Sequence, residues 1–392
     1  MKCLILFLFG IIHLHFSQEL RIGILRDYAI QRSVVSYNQG SYSLFGDTLL
    51  LDSLFEHQLF EFQTDENSIL VKKGVQKIGY FNKVFLIAND SNSSFTIVSK
   101  IPQSKERKYK GNLEIFIQKS KLQVINVVDM DSYLAGVIES EGGAGRDIEY
   151  YKVQGVMCRT YALKNLQRHE SEDFMLCDRV HCQAYHHMLR YSPKIQDAVN
   201  QTKGEILIDS DGHLAGTFFH ANCGGQTSEA AYIWNKNLPY LNTFIDTFCI
   251  YTKQATWEKK ILQQIWADFL VDKYNYPIYD SVYGPLIFSF NQSERQAFYH
   301  SSSLGIPLRD IRDQFDLKST FFNCYPEGKY VVLRGRGVGH GVGLCQEGAM
   351  RMARFQFSYK QIALYYFPGL KFIQYDNFLK LKNQNKVEHL FE

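Results

Sequence analysis

The chain has 392 residues, with 43 Lys and Arg against 40 Asp and Glu, for a formal net charge of +3. So even a balance gives no electrostatic footprint for nucleic acid. A hydrophobic content of 45%, with 25 Tyr and 29 Phe, is enough to bury a real core and is compatible with carbohydrate stacking.

The first residues, MKCLILFLFGIIHLHFSQEL, carry a Lys, then an apolar run from Cys3 to Phe16, then small or polar residues. That layout reads as a secretory signal over residues 1–17, because the run is short for a membrane span. No later stretch reaches the length of a span, so the mature chain is expected to be extracytoplasmic, periplasmic or secreted. Roughly 375 residues then remain, room for two domains or one with lobes. Eight cysteines less Cys3 leave an odd number, which cannot all be paired.

Residues 18–105 show short apolar runs between turn residues, such as LRIGIL, SILVKKG and KVFLIAND, and read as a β-rich module. Residues 106–375 change character. A hairpin-like pair, Leu113–Gln118 and Leu122–Val128, leads to a helix capped by Asp129 or Asp131 and running to about Glu141. Tyr133, Leu134, Val137 and Ile138 form its apolar face, and the same spacing puts Glu141 on that face. Glu139 falls on another face and is expected to be solvated. From periodicity alone Glu141 reads as an exposed residue at a fraying helix end.

Asp147 can cap the next helix, with a core stripe of Val153, Val156, Met157, Thr160 and Tyr161. Arg159 on that helix is expected to make a structural ion pair, and Cys158 to be a buried free thiol. A polar loop follows, HESEDFMLCDRVHCQAYHH, in which Cys177 and Cys182 are five apart, with His181 beside one and His169 upstream. Such ligands suit tetrahedral zinc, and a disulfide Cys177–Cys182 suits a secreted protein equally. GEILIDSDGHLAGTFFHANCGG reads as a strand pair, and a Cys223–Cys249 disulfide between neighbouring loops is a further expectation. KYVVLRGRGVGHGVGLCQEGAMRMARF reads as strand, glycine-rich loop and helix. No register of that loop satisfies G-x-G-x-x-G or a P-loop, and its alternate glycines fit a backbone packed tightly against something. Residues 376–392 form a charged tail. The whole reads as α+β.

Five ordered blocks, YLAGVIESE, YYKVQGVMCRTYAL, CDRVHCQAY, FFHANCGGQTSEAAYIW and GRGVGHGVGLCQEGAMRMA, resemble the SpoIID/LytB family, that of stage II sporulation protein D and the amidase enhancer LytB. The second block keeps Lys152, Gln154, Val156, Arg159, Thr160, Tyr161 and Ala162 of the family pattern. One departure is that Gly142 and Gly143 stand where many members carry Met-Pro, so the backbone after Glu141 is expected to sit differently.

The resemblance implies peptidoglycan as substrate and Glu141 as catalytic acid and base in a lytic transglycosylase. That enzyme cleaves the MurNAc–GlcNAc bond of glycan strands stripped of stem peptides and leaves 1,6-anhydro ends. It implies zinc held by Cys177, Cys182 and His169, with His181 as the alternative third ligand. Arg159, His220, His340 and Gln346 are the expected substrate-binding residues, in a groove between the helix ending in Glu141, the Cys/His loop, the HANCGG turn and the glycine loop. The other implied role is a non-catalytic enhancer of a separate cell-wall amidase. A zinc hydrolase working through the Cys/His loop is a third reading, and no H-E-x-x-H helix supports it.

Overall fold

Alternation of apolar and polar residues folds the first part of the chain into sheet. The computed structural model describes residues 19–54, 58–234 and 237–388, so the expected signal at 1–17 lies outside the described residues. Strands Arg32–Gln39, Leu59–Asp65 and Ser68–Lys73 turn every second side chain inward, burying Val35, Phe60, Phe62, Ile69 and Val71. They belong to a six-stranded antiparallel sheet. A seven-stranded sheet holds Glu19–Gly23, Tyr42–Gly46, Leu49–Leu54, Lys83–Ala88 and the expected hairpin, Asn112–Gln118 with Lys121–Asp129. The hairpin turns on Lys119 and Ser120, both at positive φ (51° and 57°), the backbone of a two-residue primed turn.

The last strand of that sheet comes from far along the chain. Leu176–Cys177 runs parallel to Glu19–Gly23, and Met175 N–H donates to Arg21 O at 2.8 Å. The described residues accordingly fall into two compact units that ignore sequence order. The first runs to Tyr133 and takes back Gln167–Met188; the second holds Leu134–Leu166 and the chain from Leu189 onward. A division at 105/106 would cut Asn112–Gln118 away from its partner Lys83–Ala88.

In the second unit the helix Ile148–Lys164 is buried around most of its circumference, from Tyr150 to Leu163 apart from Lys152, rather than along one stripe. The reason is its neighbours: helices Pro193–Gln201, Gln346–Arg354 and Tyr359–Tyr366 and strand Glu205–Ile208 all pack on it. Its polar groups are satisfied internally. Thr160 Oγ1 donates to Val156 O and accepts from Leu207 N, and Thr217 Oγ1 donates to Met157 O.

The strand pair expected within 204–225 does not form as such. Glu205–Ile208 pairs with Lys371–Gln374, and Phe219–His220 pairs in parallel with Leu344–Cys345. Between them Asp209 Oδ1 accepts from Asp211 N and His213 N, closing a local turn with only an isolated Ile208–Leu214 bridge. The mixed segment from residue 256 builds a three-stranded sheet with strand Tyr330–Arg336 at its centre, over a core of Trp257, Trp266, Tyr299, Phe315 and Phe322. Part of the expected tail is helical, Tyr375–Glu388. The architecture is α+β. No helix among the described residues is long and apolar enough to cross a membrane.

Candidate functional site

The helix Met130–Gly142 begins where Asp129 Oδ1 accepts from Ser132 N at 2.9 Å. Leu134, Val137 and Ile138 on the expected face are fully buried, and Glu141, on the same face, is half-buried. The helix closes on Gly143, whose φ of +70° is the left-handed conformation of a helix C-terminus, and whose N–H donates to Glu139 O at 3.0 Å. A Cβ at Gly142 would stand 2.8 Å from Tyr150 Oη, so this position has no room for a side chain. The Tyr151 hydroxyl donates to Gly143 O and accepts from Arg146 N, fixing the turn that follows. These contacts are the physical form of the Gly-Gly departure.

The Tyr150 phenol is pushed up, first by burial and then by the charges of Cys158 and Glu141, so it stays protonated in the electrostatic neighbourhood of Glu141.

Glu139 is a correction. It is not solvated but buried (9% exposed), and its carboxylate accepts three backbone N–H bonds, from Arg190, Tyr191 and Ser192, at 2.8–3.1 Å. The Glu139 carboxylate reaches a loop whose backbone would otherwise lack partners, with Arg190 beside it at 3.8 Å. Arg159 is buried as well. Its Nη1 donates to Thr202 O and Glu205 O at 2.8 and 3.1 Å, so it ties two backbone segments together from a buried position.

In the first unit the Cys/His loop gathers His169, Cys177, His181 and Cys182, with one ligand atom of each lying within 4.8 Å of the others. His169 Nε2 is 3.5 Å from Cys182 Sγ, and His181 Nδ1 is 3.8 Å from both thiols. Both cysteines are free rather than joined. His169 Nδ1 bonds Glu172 Oε1 at 2.7 Å, which leaves Nε2 as the ligating nitrogen, the usual support behind a metal-bound imidazole. Arg26 in turn pairs with Glu172. Hydrogen bonding from Cys182 first, and from His181 as well, holds the Cys177 thiol below its ordinary range, while the contact with Cys177 first, and then burial, raises that of Cys182. Two thiols and two imidazoles at these spacings fit a tetrahedral zinc ion. The loop is anchored by Asp178, which accepts from Leu25 N at 2.6 Å and pairs with Arg107 at 2.5 Å.

His220 and His340 meet in the second unit, ring centroids 5.5 Å apart, with Trp234 5.1 Å from His340. His220 Nδ1 lies 3.1 Å from Val342 O, so it carries the proton, and the buried Nε2 has no hydrogen-bond partner among the described residues. Gln346 Nε2 is buried and likewise unpartnered. His340 Nδ1 accepts from Val342 N at 3.0 Å. Burial keeps both imidazoles neutral: it pushes His220 well below the usual histidine range and His340 down to about 4, with Arg312 and Arg295 adding to the latter. The glycine loop is what lets the pair meet, since a Cβ at Gly339 would come within 2.9 Å of His220 Cβ.

Cys223 and Cys249 are free thiols 3.2 Å apart rather than a disulfide, and Cys158 is a buried thiol outside any disulfide, as expected. Sequence reasoning missed the support residues. Glu172 stands three positions from His169, a readable spacing, whereas Tyr150 and Trp234 carry no local signal. The Cys/His cluster belongs to the first unit; Glu141, Arg159, His220, His340 and Gln346 belong to the second.

A family model described as Stage II sporulation protein matches residues 118–208. An uncharacterized protein of Brachyspira hyodysenteriae is 25% identical over 273 residues, covering 68% of this chain and 73% of that one. Stage II sporulation protein D of Bacillus subtilis is 25% identical over 309 residues, covering 73% of this chain and 87% of the relative. The Amidase enhancer of Bacillus subtilis is 24% identical over 292 residues, covering 62% of this chain and 40% of the relative.

Proposed function

Because the chain belongs to the SpoIID/LytB family, we propose that it is an extracytoplasmic peptidoglycan lytic transglycosylase with Glu141 as its general acid and base. The observation that carries this reading is the half-buried Glu141 carboxyl on an otherwise buried helix face, beside a phenol that stays protonated. In its protonated form this carboxyl can protonate the glycosidic oxygen between MurNAc and GlcNAc. As the bond breaks, the resulting carboxylate takes the proton of the MurNAc C6 hydroxyl, whose oxygen closes on C1. The products are a 1,6-anhydro end and a free 4-hydroxyl, with no water consumed and no second carboxylate needed, unlike glycosidases that hydrolyse. His220 and Gln346, each with a buried nitrogen still to be satisfied, are the residues proposed to meet the sugar, with His340 held neutral beside them.

Zinc at His169, Cys177 and Cys182, with His181 as the remaining imidazole, belongs to the same proposal. Bound there, the ion would order the loop, and Glu172 would fix the His169 tautomer.

The test is mass spectrometry of peptide-free glycan strands incubated with the wild-type chain and with Glu141→Gln. Anhydro-ended fragments from the wild type, reduced at least about 10²-fold in the variant, are the expected result. Intact strands with folded wild-type protein would overturn it. Similarity to a protein called Amidase enhancer supports a second reading, a wall-binding enhancer. A Glu141→Gln chain that stimulates a cell-wall amidase as well as the wild type does would favour that one.

A further inference from the structure

Three cysteines that the proposed reaction does not use converge in the second unit. Cys223 follows the strand Phe219–His220, Cys249 lies in the loop after Asp246, and Cys345 caps the helix Gln346–Arg354. Cys223 Sγ is 3.2 Å from Cys249 Sγ and 3.3 Å from Asp246 Oδ2, and these atoms together with Cys345 Sγ all lie within 4.8 Å of one another. All four residues have 0% exposure.

Ordinary core packing does not account for this group. Asp246 is a fully buried carboxyl with no ion-pair partner among the described residues. Its Oδ2 accepts from the Tyr366 hydroxyl at 2.9 Å and from the Cys223 thiol, and its Oδ1 accepts from Phe248 N at 2.9 Å. Arg295, also buried, has the complementary problem. Its guanidinium donates only to neutral groups, Gln226 O and Cys223 O at 2.8 and 2.7 Å, and its Nη1 has no partner among the described residues. A buried carboxyl without a cation and a buried guanidinium without an anion are each costly. Both meet at Cys223, Asp246 at its thiol and Arg295 at its backbone carbonyl.

The thiols are arranged as ligands. Cys345 Sγ accepts from Cys223 N at 3.3 Å and from Gly348 N at 3.4 Å, and Cys249 faces the backbone N–H groups of Cys223 and Gly225. Tetrahedral zinc, with Zn–S near 2.3 Å and Zn–O near 2.1 Å, spaces its ligand atoms roughly 3.5–3.8 Å apart. The Cys223–Cys249 and Cys223–Asp246 separations, 3.2 and 3.3 Å, fall a few tenths of an ångström short of that spacing, and the remaining ones lie within 4.8 Å.

We propose that Cys223, Asp246, Cys249 and Cys345 form a closed structural zinc site, independent of the Cys/His loop and of the transglycosylase reading. Each thiol releases its proton as its sulfur binds the ion. The resulting thiolate-rich centre carries net negative charge, which Arg295 offsets. Tyr366 and Phe248 N hold the Asp246 carboxylate, as partners behind a ligand do. The site staples three segments, with Cys223 and Cys345 separated by 122 positions. It thereby holds in place His220, three residues before one ligand, and Gln346, one residue after another.

The test is metal content per chain of the full-length protein, purified without reductant or chelator, for the wild type, Cys249→Ser and the double variant Cys177→Ser/Cys182→Ser. The expected result is one zinc ion fewer in Cys249→Ser than in wild type, and one ion retained in the double variant. X-ray absorption of the double variant should show three sulfur neighbours and one oxygen. A folded double variant without zinc would overturn the proposal. So would unchanged zinc in folded Cys249→Ser. Where either variant fails to fold, non-reducing peptide mapping of the wild type decides: a Cys223–Cys249 disulfide overturns the site, and three unmodified thiols with bound zinc support it.

Discussion

The thiol clusters of the two units are built on different plans. In the first unit, the ligand atoms come from 14 consecutive residues, His169 to Cys182, and His181 is exposed. In the second, they come from three segments spread between residues 223 and 345, and every ligand is buried. The first is a loop that can close on an ion late, with solvent at its edge. The second is part of a core, where the polar groups have to be satisfied as the core forms. The same contrast runs through the other polar groups of the second unit: Glu139, Arg159 and His220 are all buried and positioned by backbone contacts from distant segments.

The largest expected effect tests that contrast within one helix. Glu139 and Glu141 are two residues apart and have the same chemistry. Glu139→Ala should destabilise the chain by about 3 kcal/mol, because it leaves the N–H groups of Arg190, Tyr191 and the buried Ser192 without this acceptor. Glu141→Gln should change stability by less than about 1 kcal/mol while removing anhydro-product formation. Urea unfolding of both variants, read beside the glycan assay, separates the two roles. Equal stability losses would show that Glu141 is as structural as its neighbour.

Much of this contrast follows from how the information is written in the chain. The hairpin Asn112–Gln118 with Lys121–Asp129, the Asp129 and Asp147 caps and the glycine loop are local patterns, and they stand where the sequence puts them. The Cys/His loop is local as well, so the four residues it gathers were visible together in the sequence. Glu139 was misjudged because helical periodicity says which face a residue occupies but not what covers that face. Here the loop at 190–192 covers it. The pairing of Glu205–Ile208 with Lys371–Gln374 was missed for the same reason: a strand's own sequence does not name a partner more than 160 positions away. The cluster of Cys223, Asp246, Cys249 and Cys345 has no spacing signature at all, since its ligands meet only in the folded core.

A middle-sized effect sharpens the comparison from the first unit. Glu172→Gln keeps the loop but weakens the acceptor behind His169 Nδ1. Zinc affinity of the Cys/His loop should fall about 10- to 100-fold, measured by competition with a chromogenic chelator. The zinc retained at the buried site should be unaffected. A simultaneous loss from both would mean that the two clusters are not independent.

The smallest expected effect concerns pH and the histidine pair. Burial holds His340 at about 4 in the folded chain, against about 6.5 when unfolded. Above pH 6.5 the imidazole is neutral in both states, and its contribution is complete. As pH falls from 6.5 towards 4, the unfolded chain takes up a proton that the folded chain refuses, so stability falls with pH. Carboxylates begin to titrate below about pH 5, so the clean window is pH 7 to 5. Because His340 is only half-buried, the loss over that window should be about 1 kcal/mol. His340→Gln, with a side chain that does not titrate there, should flatten the stability profile between pH 7 and 5 by that amount. Slope that remains would belong to the other histidines pushed in the same direction, His220, whose ring is more deeply buried, and His300. A profile unchanged by the substitution would mean that solvent reaches the His340 ring freely, and the neutral pair proposed to face the sugar would lose one of its members.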